Sequence, residues 1–167
     1  MKKLFVLLLL AAATHVSAQQ LQVYISDLSC TPTNIRATPG GKIVDQLPVG
    51  TFATTLVDSP KNGWWRISDA QYVSSDGNAN TVVDLHGSTT GYWIHSSVLV
   101  VSTVDDTTVR IYKAPSTKAA VVYTIKYATE LRPLDLRRGN AKTQTGWVKV
   151  ATIDGKITGW VQAKYID

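Results

Sequence analysis

From Leu21 the chain alternates, with Leu21, Val23 and Ile25 separated by Gln22, Tyr24 and Ser26. A period of two buries one face of a sheet, so this stretch predicts a strand. Thr31 to Gly41 contains Pro32, Pro39 and the Gly40-Gly41 pair, which a regular element does not tolerate, and predicts a long hairpin loop. Strands are expected again over Ile43 to Leu47 and Phe52 to Val57, with Pro48-Val49-Gly50 turning between them. Asp58 to Gly63 is a dense turn signal that launches an aromatic strand, Trp64-Trp65-Arg66-Ile67-Ser68. The polar stretch from Ser68 to Thr90, with a turn expected at Asp76-Gly77-Asn78, predicts an enlarged hairpin. No amphipathic helix of ordinary length stands out beyond the N-terminal apolar run, and the expected fold class is all-β.

The chain repeats its own ending. Thr158-Gly159-Trp160-Val161-Gln162-Ala163-Lys164-Tyr165-Ile166 has a near copy in Thr90-Gly91-Tyr92-Trp93-Ile94-His95-Ser96-Ser97-Val98-Leu99. Val109-Arg110 likewise matches Ile35-Arg36, each with a proline shortly after, which aligns Arg36 with Arg110. Val101 to Thr108 reads as the connector between the copies. The expected organisation is therefore a leader over residues 1–18, a first unit over 19–104 with the enlarged hairpin, and a second unit over 105–167.

The leader follows from Lys2 and Lys3, the apolar run Leu4 to Ala13, and Val16-Ser17-Ala18, which ends in the small residue expected before a cleavage site. That run is too short for a permanent membrane anchor, so no membrane insertion is expected after cleavage, and the predicted location is periplasmic or secreted. Loss of Lys2 and Lys3 lowers the formal charge of +5 by two. The remaining basic residues are scattered, and Arg132 with Arg137-Arg138 reads as a solvated loop, so nucleic acid is not an expected partner. Cys30 is the one cysteine, which excludes an internal disulfide. A nucleophilic thiol would need a histidine partner, and only His86 and His95 lie beyond the leader, with nothing helical around Cys30; no catalytic residue and no enzyme activity is expected. Asp76-Gly77-Asn78-Ala79-Asn80 lacks the glycine and terminal glutamate of a calcium loop at the required spacing, so neither a metal nor another cofactor is expected.

Strand parity singles out binding candidates. In Trp147-Val148-Lys149-Val150 the valines share one face and Trp147 shares the other with Lys149; Trp64 and Arg66 likewise stand opposite Trp65 and Ile67. Each copy then presents an aromatic beside a cation, suited to stacking on a ligand or pairing with a carboxylate. Trp93 and Trp160 in the closing strands are assigned to structure.

The chain resembles the bacterial Src-homology-3 (SH3b) family. Asn34-Ile35-Arg36, Gly63-Trp64-Trp65-Arg66-Ile67 and Gly91 to Leu99 carry the likeness in copy one; Val109-Arg110, Gly146-Trp147-Val148-Lys149-Val150 and Gly159 to Ile166 carry it in copy two. The resemblance implies two small five-stranded SH3-like β-barrels in tandem, of a kind often used to bind cell-wall peptides. In the wider group a tryptophan lines the peptide groove at the positions of Trp64 and Trp147. A groove tyrosine is matched by Tyr165 but replaced by Val98 in copy one, and a groove proline is replaced by His95 and Gln162. The functional expectation is an exported, non-enzymatic module that binds a peptide or peptidoglycan-derived ligand through Trp64, Arg66, Trp147, Lys149 and Tyr165. The alternative is a structural, adaptor or inhibitor protein that docks onto another envelope protein.

Overall fold

A computed structural model of the chain describes residues 21–26, 31–56, 60–73, 79–83, 92–105, 107–137 and 146–166. Residues 1–18 of the expected leader, Cys30, Asp76-Gly77-Asn78, His86, Gly91 and Arg138 lie outside the described residues. Those that are described form an all-β structure. The first strands are β1 (Leu21–Ser26), β2 (Thr33–Arg36), β3 (Ile43–Leu47), β4 (Thr51–Leu56) and β5 (Trp64–Ile67). A hairpin of β6 (Ala70–Val73) and β7 (Ala79–Val83) follows. Then come β8 (Tyr92–His95), a 3-10 turn at Ser96–Val98 and β9 (Leu99–Ser102). The remaining strands are β10 (Val109–Tyr112), β11 (Val121–Ile125), β12 (Glu130–Arg137), β13 (Trp147–Thr152) and β14 (Thr158–Gln162), with a second 3-10 turn at Ala163–Tyr165.

Alternation becomes packing as the sequence predicts in β1, where Val23 and Ile25 are buried and Tyr24 is exposed. The same period buries Trp65 and Ile67 in β5 and Val148 and Val150 in β13. Two expectations change. Thr31 to Gly41 is not all loop: Thr33–Arg36 is a strand that buries Thr33 and Ile35, and the turn is confined to the residues after it, closed by the Ala37 N–H on the Lys42 carbonyl at 3.0 Å. Arg132 is not in a solvated loop either. It lies in β12, half-buried, and its guanidinium donates to the Ser97 carbonyl. Pro133 is tolerated within β12 because the register against β13 shifts between Pro133 and Asp135, the kind of bulge where a missing N–H costs no ladder bond.

Pairing in the first half runs β3 with β2, β2 with β8, β8 with β5, β5 with β4 and β4 with β1. The second half repeats this order as β11 with β10, β10 with β14, β14 with β13 and β13 with β12. Strand β9 serves both: Leu99 and Val100 pair with β1, while Val101 and Ser102 pair with β12. Thr103 then bridges to Ile166. Val101 and Ser102 are thus strand and Thr103 a bridge to Ile166, with Val101 at 0% exposure and Thr103 at 1%. Among the described residues the path from β11 through β9 to β3 is one run of strands that does not close. One hydrophobic cluster threads it, from Val23, Ile35, Trp65 and Ile94 to Ile111, Leu131, Val148 and Val161.

The enlarged hairpin follows from a break at Ser68-Asp69. There the Ser68 N–H donates to the Thr55 carbonyl at 3.1 Å, and the Thr55 N–H donates to the Asp69 carboxylate at 3.2 Å. The edge of β4 passes at this point from β5, with Leu56 opposite Ile67, to β6, with Ala53 opposite Gln71. Strand β6 then pairs with β7.

Candidate functional site

The groove of the first half is set by a turn. Lys61 and Trp64 exchange backbone hydrogen bonds of 2.8 and 3.0 Å around Asn62 (φ 50°) and Gly63 (φ 79°). Two consecutive left-handed residues in an Asn-Gly pair make the tight hairpin whose twist matches its flanking strands. Space also restricts Gly63, since an added Cβ would lie 3.0 Å from His95 Nε2. The turn starts β5 with Trp64 directly opposite His95 of β8.

Trp64 is half-buried and meets the His95 ring edge-on, with centroids 5.1 Å apart. The Arg36 guanidinium lies 5.5 Å from the Trp64 ring centroid and is held by a 2.6 Å bond from Nη1 to the Gly41 carbonyl. The Ser97 N–H donates to His95 Nδ1 at 3.2 Å, which makes Nδ1 an acceptor and leaves the proton of a neutral ring on Nε2. The Ser96 N–H donates to the Gly63 carbonyl at 2.8 Å and ties the 3-10 turn to the start of β5. Pro32, Asn34, Arg36, Trp64, His95 and Val98 line a shallow, open groove of roughly 200 Å³. It offers an aromatic wall, an apolar floor and two nitrogen-rich groups, which suits an extended segment carrying a carbonyl or carboxylate.

Arg66 shares the outward face with Trp64 but stands two pairs further along, opposite Trp93. It is half-buried and already engaged. Trp93, also on this face, is 6% exposed, and Lys61 Nζ lies 5.4 Å from its ring centroid.

The second half has the same frame with different contents. Trp147 stands opposite Gln162, and Lys149 opposite Trp160. The Ala163 N–H donates to the Gly146 carbonyl at 2.8 Å, the counterpart of the Ser96 bond to Gly63. Trp147 nevertheless is only 9% exposed, packed edge-on against Tyr112 with centroids 5.6 Å apart. Trp160 is 7% exposed beneath Arg137, whose Cζ lies 5.3 Å from its ring centroid. Tyr165 is half-buried against the hydrophobic cluster, with Lys164 Nζ 4.7 Å from its ring; its carbonyl accepts the Val104 N–H at 3.1 Å. The predicted residues are therefore not assembled into two like sites.

Register also revises the alignment of Arg36 with Arg110. Arg36 lies opposite Trp93, whereas the residue opposite Trp160 is Tyr112, and both hairpins carry a register shift just before that residue. Arg36 and Tyr112 hold equivalent places, and each contacts the tryptophan of its middle strand. Pro32, Asn34 and Arg36 are groove residues not assigned to the site from the sequence, whereas His95 and Val98 entered there only as replacements for a groove proline and a groove tyrosine. The signal for His95 was present, because pairing the Gly63 strand with the closing strand puts it beside Trp64.

Among the described residues no group of histidine, cysteine or carboxylate side chains is placed to hold a metal ion, and no helix is long and apolar enough to cross a membrane. Residues 107–167 match the family model for the bacterial SH3 domain, so such a domain occupies this part of the chain. No curated protein matches the chain. Solved structures that resemble the chain do so at low identity. NlpC2 from Trichomonas vaginalis is 10% identical, with 90% of this chain and 48% of that chain covered at a TM-score of 0.31. NlpC1 from the same organism is 11% identical, with 98% and 50% covered at a TM-score of 0.30. The chain spans about half the length of each.

Proposed function

We propose that the chain is an exported, non-enzymatic pair of bacterial SH3-like units, and that the first unit binds an extended peptide or a peptidoglycan-derived ligand. The observation that carries this reading is the groove of Pro32, Arg36, Trp64, His95 and Val98. The bacterial SH3 domain at 107–167 and the repeated pairing order support the tandem organisation, with the units joined through β9. A carboxylate at the end of the bound segment pairs with Arg36 or accepts from His95 Nε2, while an apolar side chain lies on Trp64. The second unit contributes chiefly packing, because Tyr112 covers the edge of Trp147.

A single aromatic wall and a small groove bury little area, so affinity for a soluble wall peptide falls on the order of micromolar to millimolar. Titration of such a peptide against the wild type, Trp64→Ala and Trp147→Ala tests the assignment, with folding checked by circular dichroism. Trp64→Ala is expected to weaken binding tenfold or more in a folded protein, and Trp147→Ala to leave it within threefold wherever the chain stays folded. Equal binding by wild type and Trp64→Ala refutes the site. Pull-downs on purified wall sacculi and on envelope proteins test the ligand class, and capture only by the envelope proteins would replace the wall ligand with a protein partner.

A further inference from the structure

Among the described residues the open run of strands has two ends, β3 and β11, and they are defended differently. Each is the second strand of a hairpin, each follows the same exposure pattern with only its last residue buried, and each bulges at its second residue. An end strand carries unpaired backbone groups along its outer edge and invites another strand unless a charge, a proline or a bulge discourages it. In β3 the bulge is joined by the exposed carboxylate of Asp45, with Gln46 tied to Asn34 by a 2.8 Å hydrogen bond. In β11 the bulge stands alone. Its residues are Val121, Val122, Tyr123, Thr124 and Ile125, with no charge and no proline. Val121, Val122 and Tyr123 are 46%, 41% and 45% exposed; β3 exposes Ile43 and Val44 to a like degree, so what distinguishes β11 is a third exposed apolar residue, Tyr123, where β3 has the carboxylate of Asp45.

From this contrast we infer that β11 is a self-association edge, which pairs antiparallel with β11 of a second copy of the chain. The sequence suits its own reverse. Centred on Tyr123, the pairing sets Val121 against Ile125 and Val122 against Thr124, and the flanking Lys126 meets Ala120; centred on Thr124, Lys126 meets Val122. Neither register opposes like charges, whereas β3 paired with itself about Asp45 sets one carboxylate against the other. A two-fold arrangement also closes after two copies, while β11 on β3 of the next chain leaves free ends and grows. The contact is far smaller than the roughly 800 Å² per partner of a standard interface, so the dimer is weak, with a dissociation constant on the order of 10 μM to 1 mM.

Sedimentation equilibrium of the chain, in the form its cells accumulate, tests this over that concentration range. The wild type is expected to rise from monomer towards twice its mass and to stop there. Tyr123→Lys and Thr124→Lys, both at exposed positions, should weaken the association tenfold or more with an unchanged circular dichroism spectrum, while Ile43→Lys on β3 should leave it as in the wild type. A chain that stays monomeric throughout overturns the inference. So does a mass that climbs past the dimer and is lost in Ile43→Lys, or one that survives both β11 charges.

Discussion

Dividing the chain before Asp105 removes from the second half a strand that its core needs. Val101, paired with Leu131, is 0% exposed, and full burial of a valine side chain stabilises by about 1.5–3 kcal/mol. Thr103 adds the 3.1 Å bond from its N–H to the Thr129 carbonyl and the 3.0 Å bond from the Thr129 N–H to its hydroxyl, each contributing about 1 kcal/mol. Together these amount to about 4 kcal/mol, against the roughly 3–5 kcal/mol that a single core of this size supplies. A fragment of residues 105–167 is therefore expected to be largely unfolded, although it contains the whole span matched by the bacterial SH3 model. A fragment of residues 101–167 should fold. Urea titrations of both, followed by tryptophan fluorescence and far-ultraviolet circular dichroism, provide the comparison. Equal midpoints and amplitudes would refute the reasoning, because Val101 to Thr103 would then contribute nothing to the second half.

Trp147→Ala should destabilise the protein by about 3 kcal/mol through cavity formation, more than Trp64→Ala, as read from urea midpoints. Gly159→Ala should cost about 1–3 kcal/mol in the same assay, because the added Cβ would lie 2.6 Å from the Tyr112 carbonyl oxygen and 2.5 Å from Ile111 Cγ2. Asp154 accepts a 2.6 Å bond from the Thr152 hydroxyl and a 3.1 Å bond from the Lys156 N–H, and these, with the Lys156 ammonium 3.0 Å away, lower its pKa below the ordinary 3.8. A lowered folded-state pKa gives stability that is present above the unfolded value and lost as pH falls through the folded one. Any advantage of the wild type over Asp154→Asn should therefore shrink below about pH 4 in thermal melts; an advantage that is unchanged by acid would refute the assignment.

Legibility in the sequence followed burial. Strands with one face in the core, such as β1 and β5, showed their period of two. Strands β3 and β11, at the ends of the run, did not, because their first four residues are exposed alike and no alternation is imposed; β3 was legible from the turn at Pro48-Val49-Gly50 that follows it. Pro133 disguised β12, since only the register shift beside it makes a proline acceptable there. Parity placed Trp64 and Trp147 on the face away from Trp65 and Val148, and the structure agrees. What parity does not encode is cover. Whether an outward tryptophan is open depends on the residue that the adjoining hairpin sets beside it, and a one-residue register shift fixes that residue. The match of Arg36 to Arg110 overlooked the shift, and with it the place of Tyr112.

That one position accounts for the asymmetry between the halves. A guanidinium over an indole keeps its own hydration and lies across part of the ring, so Trp64 stays half-buried beside a charge that a ligand can reach. A phenol edge-on to an indole removes apolar area from both rings and adds no charge, which leaves Trp147 at 9% exposure. Opposite the two tryptophans, His95 supplies a ring nitrogen and Gln162 an uncharged amide, so the difference in polarity is reinforced from the closing strand. The same frame thus yields an open, cationic groove in one half and a sealed aromatic contact in the other. Because β9 is shared, the sealed half also holds Val101 and Thr103 in place, and through Arg132 it fixes the Ser97 carbonyl, next to Val98 at the end of the groove.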